Sequence, residues 1–461
     1  MLFGKTRHIH LVGIGGSGMS GIAEILVNQG FTVTGSDIRE SDTVERLRRL
    51  GCKINIGHSG ENIHGADVVV VSSAIPEDNP EVQEARKIKI PVIPRAEMLA
   101  ELMRMKFSIA IGGTHGKTTT TAMIASVLEM GGLDPTVIDG GKLVSLGTGA
   151  RLGNSHFMVV EADEAYGSIK RVSPTIAVVT SIDADHLDYY RDIEDIKKTF
   201  LDFINRVPFY GVAILCLDQE NIQNLIPHIK RRFITYGVET LADVTAHEIR
   251  YKGPTARYEV KFRGEPLGEI YLPMPGTHNV QNSLAAVAVG LELEIDFESI
   301  KKGLEGFKGV HRRFEIIGEF KGVLIVDDYA HNPAKLKATF SAARLSFPGR
   351  RVVAIFQPHR YQRVKHLAEE FANSFFQTDL LIVTAIYGAG EKPIEGVTGD
   401  SLASSIRDHG HRNVVYIPNL EDVIEYLVKL VRPGDLVITA GAGDIWKVAY
   451  GLRDRLIEKG T

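Results

Sequence analysis

The sequence predicts three α/β domains in a row, and three observations carry that prediction. Strand-like apolar runs alternate with helix-like stretches over most of the chain, the pattern of parallel sheets with helices packed on their faces. The alternation is interrupted twice, near Lys106 after Pro91 and Pro94, and near Gly309, which divides the chain into 1–106, 107–309 and 310–461. In each part the polar and glycine-rich residues cluster just after the strands, where ligands of open parallel sheets gather. The length of 461 residues suits roughly three domains.

Composition narrows the functions open to such a chain. Apolar residues at 44% and charged residues at 24% are those of ordinary soluble protein. A net charge of -4 argues against a nucleic-acid partner bound through a basic field. Cys52 and Cys216 lie far apart, forming neither a disulfide framework nor a metal knuckle, and are expected as buried thiols in a reducing compartment. No apolar run approaches the roughly 20 residues of a membrane span, and Arg7 and His8 precede LVGIGG with no cleavage pattern after it. A cytoplasmic protein with no membrane partner is expected.

In the first part, HIHLVGI, MSGIAEILVNQG, TVTGSD, TVERLRRLG and ADVVVVSSA read as strand, helix, strand, helix, strand. The first turn is Gly13-Ile14-Gly15-Gly16-Ser17-Gly18, with Asp37 ending the next strand about 20 residues on. This is a Rossmann-like arrangement for a diphosphate-bearing nucleotide on a helix N-terminus. A dinucleotide, as in a dehydrogenase, and any other nucleoside diphosphate fit it equally.

In the second part, the apolar run 107–111 leads into Gly112-Gly113-Thr114-His115-Gly116-Lys117-Thr118 and then a helix. A strand that turns through glycine into a Lys-Thr helix start is a phosphate cradle, with backbone N–H groups, the helix dipole and a lysine charge all facing a polyphosphate. Thr118 is placed as an oxygen ligand for Mg²⁺. The general phosphate-loop pattern wants glycine at 111, where this chain has Ile111. Two further strands, FMVVEADE and TIAVVTSIDADH, end in Glu161, Asp163 and Glu164 and in Asp183, Asp185 and His186, candidates to face the phosphates. ARYEVKFRGEPLGEIYL reads as a hairpin around Gly264-Glu265, and PGTHNVQN opens a helix carrying His278, Asn279 and Asn282. The two asparagines share a face and suit the donor and acceptor of an adenine edge.

The third part resumes the alternation, with Asp327, Asp328, Tyr329 and His331, then His359, Arg360 and Arg363, then Gly388 to Glu391 at its strand ends. Arginines grouped this way, with Arg312 and Arg313 upstream, point to an anionic ligand.

With these residues in hand, the whole chain resembles the Mur ligases of peptidoglycan synthesis. GIGGSGMSGIAEIL, GTHGKTTTT, EADE, DADHLDYY, PGTHNVQN, HRRFE, DDYAHNP, FQPHRYQR, YGAGEKPIEG and GAGDI follow the family's order, and the shortened loop GTHGKTTTT is the family's own form. FQPHRYQR and YGAGEKPI resemble the alanine-adding branch more than those that add later residues or a whole tripeptide. Two stretches depart from the family pattern: AYGSIK after EADE, and Ala330 and Asn332 in DDYAHNP.

The resemblance implies a Rossmann-like N-terminal domain, a central P-loop-type ATPase domain with a mainly parallel sheet, and a Rossmann-like C-terminal domain. It implies ATP as co-substrate, Mg²⁺, and UDP-N-acetylmuramate and L-alanine as small-molecule partners, in a monomer or weak homodimer. Residues 112–118, Asn279, Asn282, Arg313, Asp327 and Tyr329 would contact ATP; Thr118, Glu161 and His186 would hold metal. Gly13, Gly15, Gly16, Ser17, Gly18, Asp37 and Ser73 would hold the UDP-sugar, which favours UDP over NAD. The implied catalytic set is Lys117, His186, Arg313, His331, His359, Arg360 and Arg363, the last three binding the acceptor carboxylate and the alanine.

Overall fold

The computed structural model describes residues 4–72, 74–138, 150–185 and 189–458; the side chains of Ser17, Ala165 and Tyr166 are also outside the description. Among the described residues three separate sheets form, and each is built from short β-branched runs. By contact the chain divides into two compact units, Met1–His247 with Glu259–Ile270 and Gln281–Lys308, and Glu248–Tyr258 with Tyr271–Val280 and Gly309–Thr461.

The N-terminal sheet has five parallel strands in the order Lys53–Ile56, Thr32–Asp37, His8–Val12, Val68–Val71, Val92–Pro94. Strand order reverses beside His8–Val12, so the glycine turn that follows this strand opens at the switch point, where such sheets bind ligands. The helix Ser17–Asn28 packs back on the sheet through Met19, Ile22, Ile25 and Leu26, all buried.

The second sheet has ten strands. At its centre Phe107–Gly112 lies between Ile176–Val179 and Phe157–Glu161, parallel to both. These strands are buried almost throughout, as expected where helices cover both faces. The geometry has one direct consequence: the lysine loop, the Glu161 segment and the Ser181 segment all leave the same edge of the sheet. Thr255–Phe262 and Glu265–Leu272 are adjacent strands, linked by Arg263 and Gly264, both at positive φ, the backbone that a two-residue hairpin turn requires. The hairpin expected around Gly264 is therefore present, and Val244–Lys252, not singled out from the sequence, lies beside it.

The third sheet has six strands in the order Glu315–Phe320, Val323–Asp328, Asp435–Ala440, Arg351–Phe356, Leu380–Val383, Val414–Tyr416. Only the first pair is antiparallel. One face is filled by Phe340, Phe356, Phe371 and Phe375, with Phe356 ring centroids 5.5 Å from Phe371 and 5.2 Å from Phe375. The other face is aliphatic, with Ile325, Ile355, Ile382, Leu427 and Leu452. Each such side chain contributes roughly 1.5–3 kcal/mol by burial, enough to fix the strand ends that carry the polar residues.

Candidate active site

The central loop is shaped by two glycines that no other residue could replace without displacement. Gly113 has φ +138°, and a Cβ there would fall 2.1 Å from Thr180 Oγ1. Gly116 has φ +80°, and its Cβ would fall 2.5 Å from Asn282 Oδ1. The loop is then sewn to the neighbouring strand end. Thr114 N donates to the Ser181 carbonyl at 3.0 Å, Asp183 N to Thr114 Oγ1 at 2.9 Å, and His115 N to Ser181 Oγ at 2.9 Å. His115 Nε2 lies 3.2 Å from an Asp183 carboxylate oxygen.

The helix Lys117–Met130 that follows has no side-chain cap and no acidic residue in its first turn, so its leading N–H groups and dipole face outward from the loop. Lys117 Nζ donates to the Gly113 carbonyl at 2.6 Å and to Glu164 Oε2 at 2.7 Å, with Asp163 Oδ1 at 4.0 Å. Burial disfavours the Lys117 charge, but the carboxylates of Glu164, Asp163 and Glu161 outweigh it and hold its pKa above the usual lysine value. Thr118 Oγ1 donates to Glu161 Oε2 at 2.9 Å. Asn282 sits beneath the loop, where its Oδ1 accepts from Thr120 Oγ1 at 3.1 Å.

The N-terminal turn uses the same strand–glycine–helix device with different charges. Gly13 and Ile14 donate to the Ser36 carbonyl at 2.9 and 3.0 Å, and Gly15 N donates to Asp37 Oδ2 at 2.8 Å. The helix Ser17–Asn28 again starts without a side-chain cap or an acidic residue in its first turn. A Cβ on Gly18 would lie 2.7 Å from Arg95 Nη1, so a guanidinium stands against this helix start. Arg95, at the start of the RAEML helix, was not among the residues singled out from the sequence. Beneath the turn Ser36 Oγ donates to Glu81 Oε2 at 2.6 Å and Asn62 Nδ2 to Glu81 Oε1 at 2.6 Å.

The C-terminal strand ends gather a third group. The two arginines of HRRFE separate in role: Arg312 donates to Asp327 Oδ2 at 2.9 Å and to the carbonyls of Gly443 and Gly441 at 3.0 and 2.6 Å. Both guanidiniums stand 5.1 Å from the Tyr329 ring centroid. Asp327 is wholly buried and also accepts from Thr439 Oγ1 at 2.6 Å, so both of its oxygens are engaged within the domain. Burial raises its pKa against the opposing charge of Arg312. Asp328 accepts from the N–H groups of Phe314 and Ala330, and burial pushes its pKa up to about 6.

His331 Nδ1 is 2.8 Å from the Tyr329 carbonyl, which can only accept, so Nδ1 carries the proton. His359 stacks on Tyr387 with ring centroids 5.6 Å apart, and Arg363 Nη1 donates to its Nδ1 at 3.3 Å. The two imidazoles lie 6.0 Å apart. Burial, together with the charges of Arg363 and Arg360, brings the His359 pKa down to about 4. His331 is held well below its ordinary value by burial and by the charges of Lys335, Arg363 and Arg313. Both rings are therefore neutral near pH 7, among arginines that supply the positive charge. Arg360, at φ +66°, donates its N–H to the Tyr387 carbonyl at 2.9 Å and precedes the helix Tyr361–His366.

The sequence-derived residues thus fall into a glycine turn with Asp37, a lysine loop with Thr118, Glu161 and Asn282, and a histidine–arginine group with Tyr329. Asn279 is buried and donates to the Pro275 carbonyl at 2.7 Å. Ser73, His186 and the side chain of Ser17 lie outside the described residues. The family departure at Asn332 has a local reason: its side chain accepts from Lys335 N at 3.0 Å and caps the helix Pro333–Ser346. Thr180, Ser181 and Tyr190 were missed from the sequence, because strand adjacency brings the first two to the loop and the third to the Glu164 carbonyl.

Fold and loop define the class first: a multidomain α/β protein whose central sheet carries a glycine–lysine–threonine loop of the phosphate-binding type. Three profiles match in order, the Mur ligase family catalytic domain at residues 8–107, the Mur ligase middle domain at 111–290, and the Mur ligase glutamate ligase domain at 312–443. The chain belongs to the Mur ligase family. It is 56% identical over 455 residues to the UDP-N-acetylmuramate–L-alanine ligase of Geotalea uraniireducens, covering 99% of each chain. It is 54% identical over 458 residues to the enzyme of that name from Geobacter sulfurreducens, again covering 99% of each. The crystal structure of the UDP-N-acetylmuramate–alanine ligase from Thermotoga maritima superimposes with a TM-score of 0.83 at 30% identity, covering 98% of this chain and 100% of that one. The three-domain α/β architecture expected from the sequence is the one found.

Proposed function

We infer that this chain joins L-alanine to the carboxylate of UDP-N-acetylmuramate at the expense of ATP, forming ADP and phosphate in peptidoglycan precursor synthesis. The observation that carries this reading is the identity of more than half, over essentially both full lengths, to ligases of that name.

A carboxylate is a poor acyl donor, so the γ-phosphoryl group is first transferred to it as an acyl phosphate. The neutral amine of alanine then attacks the acyl carbon, and phosphate leaves as the amide forms. No protein nucleophile is needed; the chain positions reactants and stabilises charge. We assign Lys117 and the N–H groups of residues 112–118 to the β- and γ-phosphates, supported by the uncapped helix start. We assign the glycine turn of residues 13–18 to the UDP diphosphate. His359, Arg360 and Arg363 are assigned to the carboxylate of alanine, with His331 beside them. Arg313 and Tyr329 are the proposed nucleotide contacts of the C-terminal domain, and Asn279 and Asn282 those of the central one. Asp327 acts through Arg312, since both its oxygens are engaged.

Thr118 and Glu161 fit a Mg²⁺ ion. Their oxygens are 2.9 Å apart, close to the roughly 3.0 Å between neighbouring ligands that each lie about 2.1 Å from an octahedral Mg²⁺. When bound, the ion would neutralise charge on the phosphates; His186 is proposed as a ligand of a second Mg²⁺.

The three sheets support domain boundaries close to residues 106 and 309. Among the described residues no helix is long and apolar enough to cross a membrane; a cytoplasmic monomer or weak homodimer is proposed. The test is phosphate release with ATP, UDP-N-acetylmuramate and L-alanine, each omitted in turn. Release that requires all three is expected. Equal release with a tripeptide in place of alanine, or none with alanine, would overturn the assignment.

A further inference from the structure

Lys117 is an ammonium with three N–H bonds, and two are already directed. One goes to the Gly113 carbonyl at 2.6 Å and one to Glu164 Oε2 at 2.7 Å. The Glu164 side chain is nearly inaccessible, at 3% exposure, so it cannot be exchanged for water as a surface partner would be. Its backbone is held in turn: Tyr190, itself buried, donates its hydroxyl to the Glu164 carbonyl at 2.7 Å. The segments of Gly113 and Glu164 therefore meet on a single ammonium, and the segment of Tyr190 holds the second of them from behind.

Resting on the ligase reading above, we propose that Glu164 is a positioning residue for phosphoryl transfer, fixing with the Gly113 carbonyl the direction of the third Lys117 N–H toward the phosphate chain. Glu164 has an opposite effect on substrate binding. Its negative charge lies beside the place where the phosphates bind, so it weakens ground-state attraction while sharpening the aim of the lysine. Orientation and attraction are thus separable, and a variant should move them in different directions.

The experiment is steady-state kinetics of Glu164→Ala, Glu164→Gln and Tyr190→Phe in the full chain. For Glu164→Ala, kcat should fall on the order of 10–100-fold, because the lysine loses one of its two anchors. Its KM for ATP should stay level or fall a few-fold, because a repulsive charge is gone. Glu164→Gln keeps an acceptor oxygen and should recover most of kcat, with the KM for ATP still low. Tyr190→Phe should lie between wild type and Glu164→Ala in kcat. The KM for UDP-N-acetylmuramate should not move in any of them. The proposal is overturned if Glu164→Ala keeps kcat within about threefold of wild type. It is equally overturned if KM for ATP and for the UDP-sugar rise together and glutamine gives no rescue, as local loosening would produce. Failure of the wild type to release phosphate with all three substrates would instead sink the ligase reading itself.

Discussion

Two loops in this chain share a backbone plan and differ in charge. Both run from a buried parallel strand through glycines into an uncapped helix with no acid in its first turn. At the N-terminal turn the nearby carboxylate, Asp37, points back into the loop and accepts Gly15 N. At the central loop a lysine lies inside the cradle, with Glu161, Asp163 and Glu164 around it. The first arrangement presents N–H groups and holds its shape; the second concentrates charges of both signs within a few ångströms. The contrast teaches that the strand–glycine–helix unit supplies binding, whereas chemistry depends on what neighbouring strand ends bring to it.

The largest expected effect is at the central loop. Lys117→Ala should lower turnover on the order of 1,000-fold, in line with loss of a preorganised charge at a transition state. An unchanged circular dichroism spectrum would accompany it; turnover within tenfold of wild type would erase the distinction between the loops.

Next come the glycines, which should separate the substrates. Gly116→Ala forces alanine to φ +80° against Asn282, and should raise the KM for ATP roughly tenfold. Gly15→Ala places a methyl 2.8 Å from Asp37 Oδ2, and should raise the KM for UDP-N-acetylmuramate about as much. Paired initial-rate titrations would show either the crossed pattern or, against it, both constants rising in both variants.

Asp37→Ala removes one hydrogen bond to the turn and should cost about 1 kcal/mol, near fivefold in the KM for the UDP-sugar, with that for ATP unchanged.

The smallest effect at neutral pH concerns the support beneath the N-terminal turn. Burial works against the Glu81 charge, but His10, whose Nε2 lies 3.8 Å away, and hydrogen bonds from Ser36 and Asn62 outweigh it and bring the pKa down from the ordinary 4.5 to about 2. The unfolded chain therefore takes up this proton first as pH falls. The stabilisation is complete above about pH 4.5 and is lost as pH drops through about 2. Thermal melts from pH 6 to pH 3 should show this fall, and Glu81→Gln should flatten it; an unaltered slope in the variant would rule out Glu81 as its source.

Much of this was legible in the chain because the device is local. Gly13 to Gly18 and Gly112 to Thr118 declare themselves by glycine spacing and by the apolar run before each. Other assignments needed contacts that spacing cannot show. Arg312 and Arg313 are indistinguishable in HRRFE, and both lie beside Tyr329, yet Arg312 is in addition tied to Asp327 and two carbonyls. Asn279 and Asn282 share a helix face, but Asn282 lies under Gly116 and Asn279 donates to Pro275.

The sequence alone determined the α/β class, the two glycine loops and the identities of the lysine, threonine and acids, because strand period, glycine placement and helix starts are properties of neighbours along the chain. The tertiary structure alone decided which carboxylate meets which cation. Strand order put Phe107–Gly112 between Phe157–Glu161 and Ile176–Val179. That adjacency placed Glu164 against Lys117, 47 residues away, and secured it through Tyr190. Hydrogen bonds act over about 3 Å, and only the folded sheet brings such distant residues within that range.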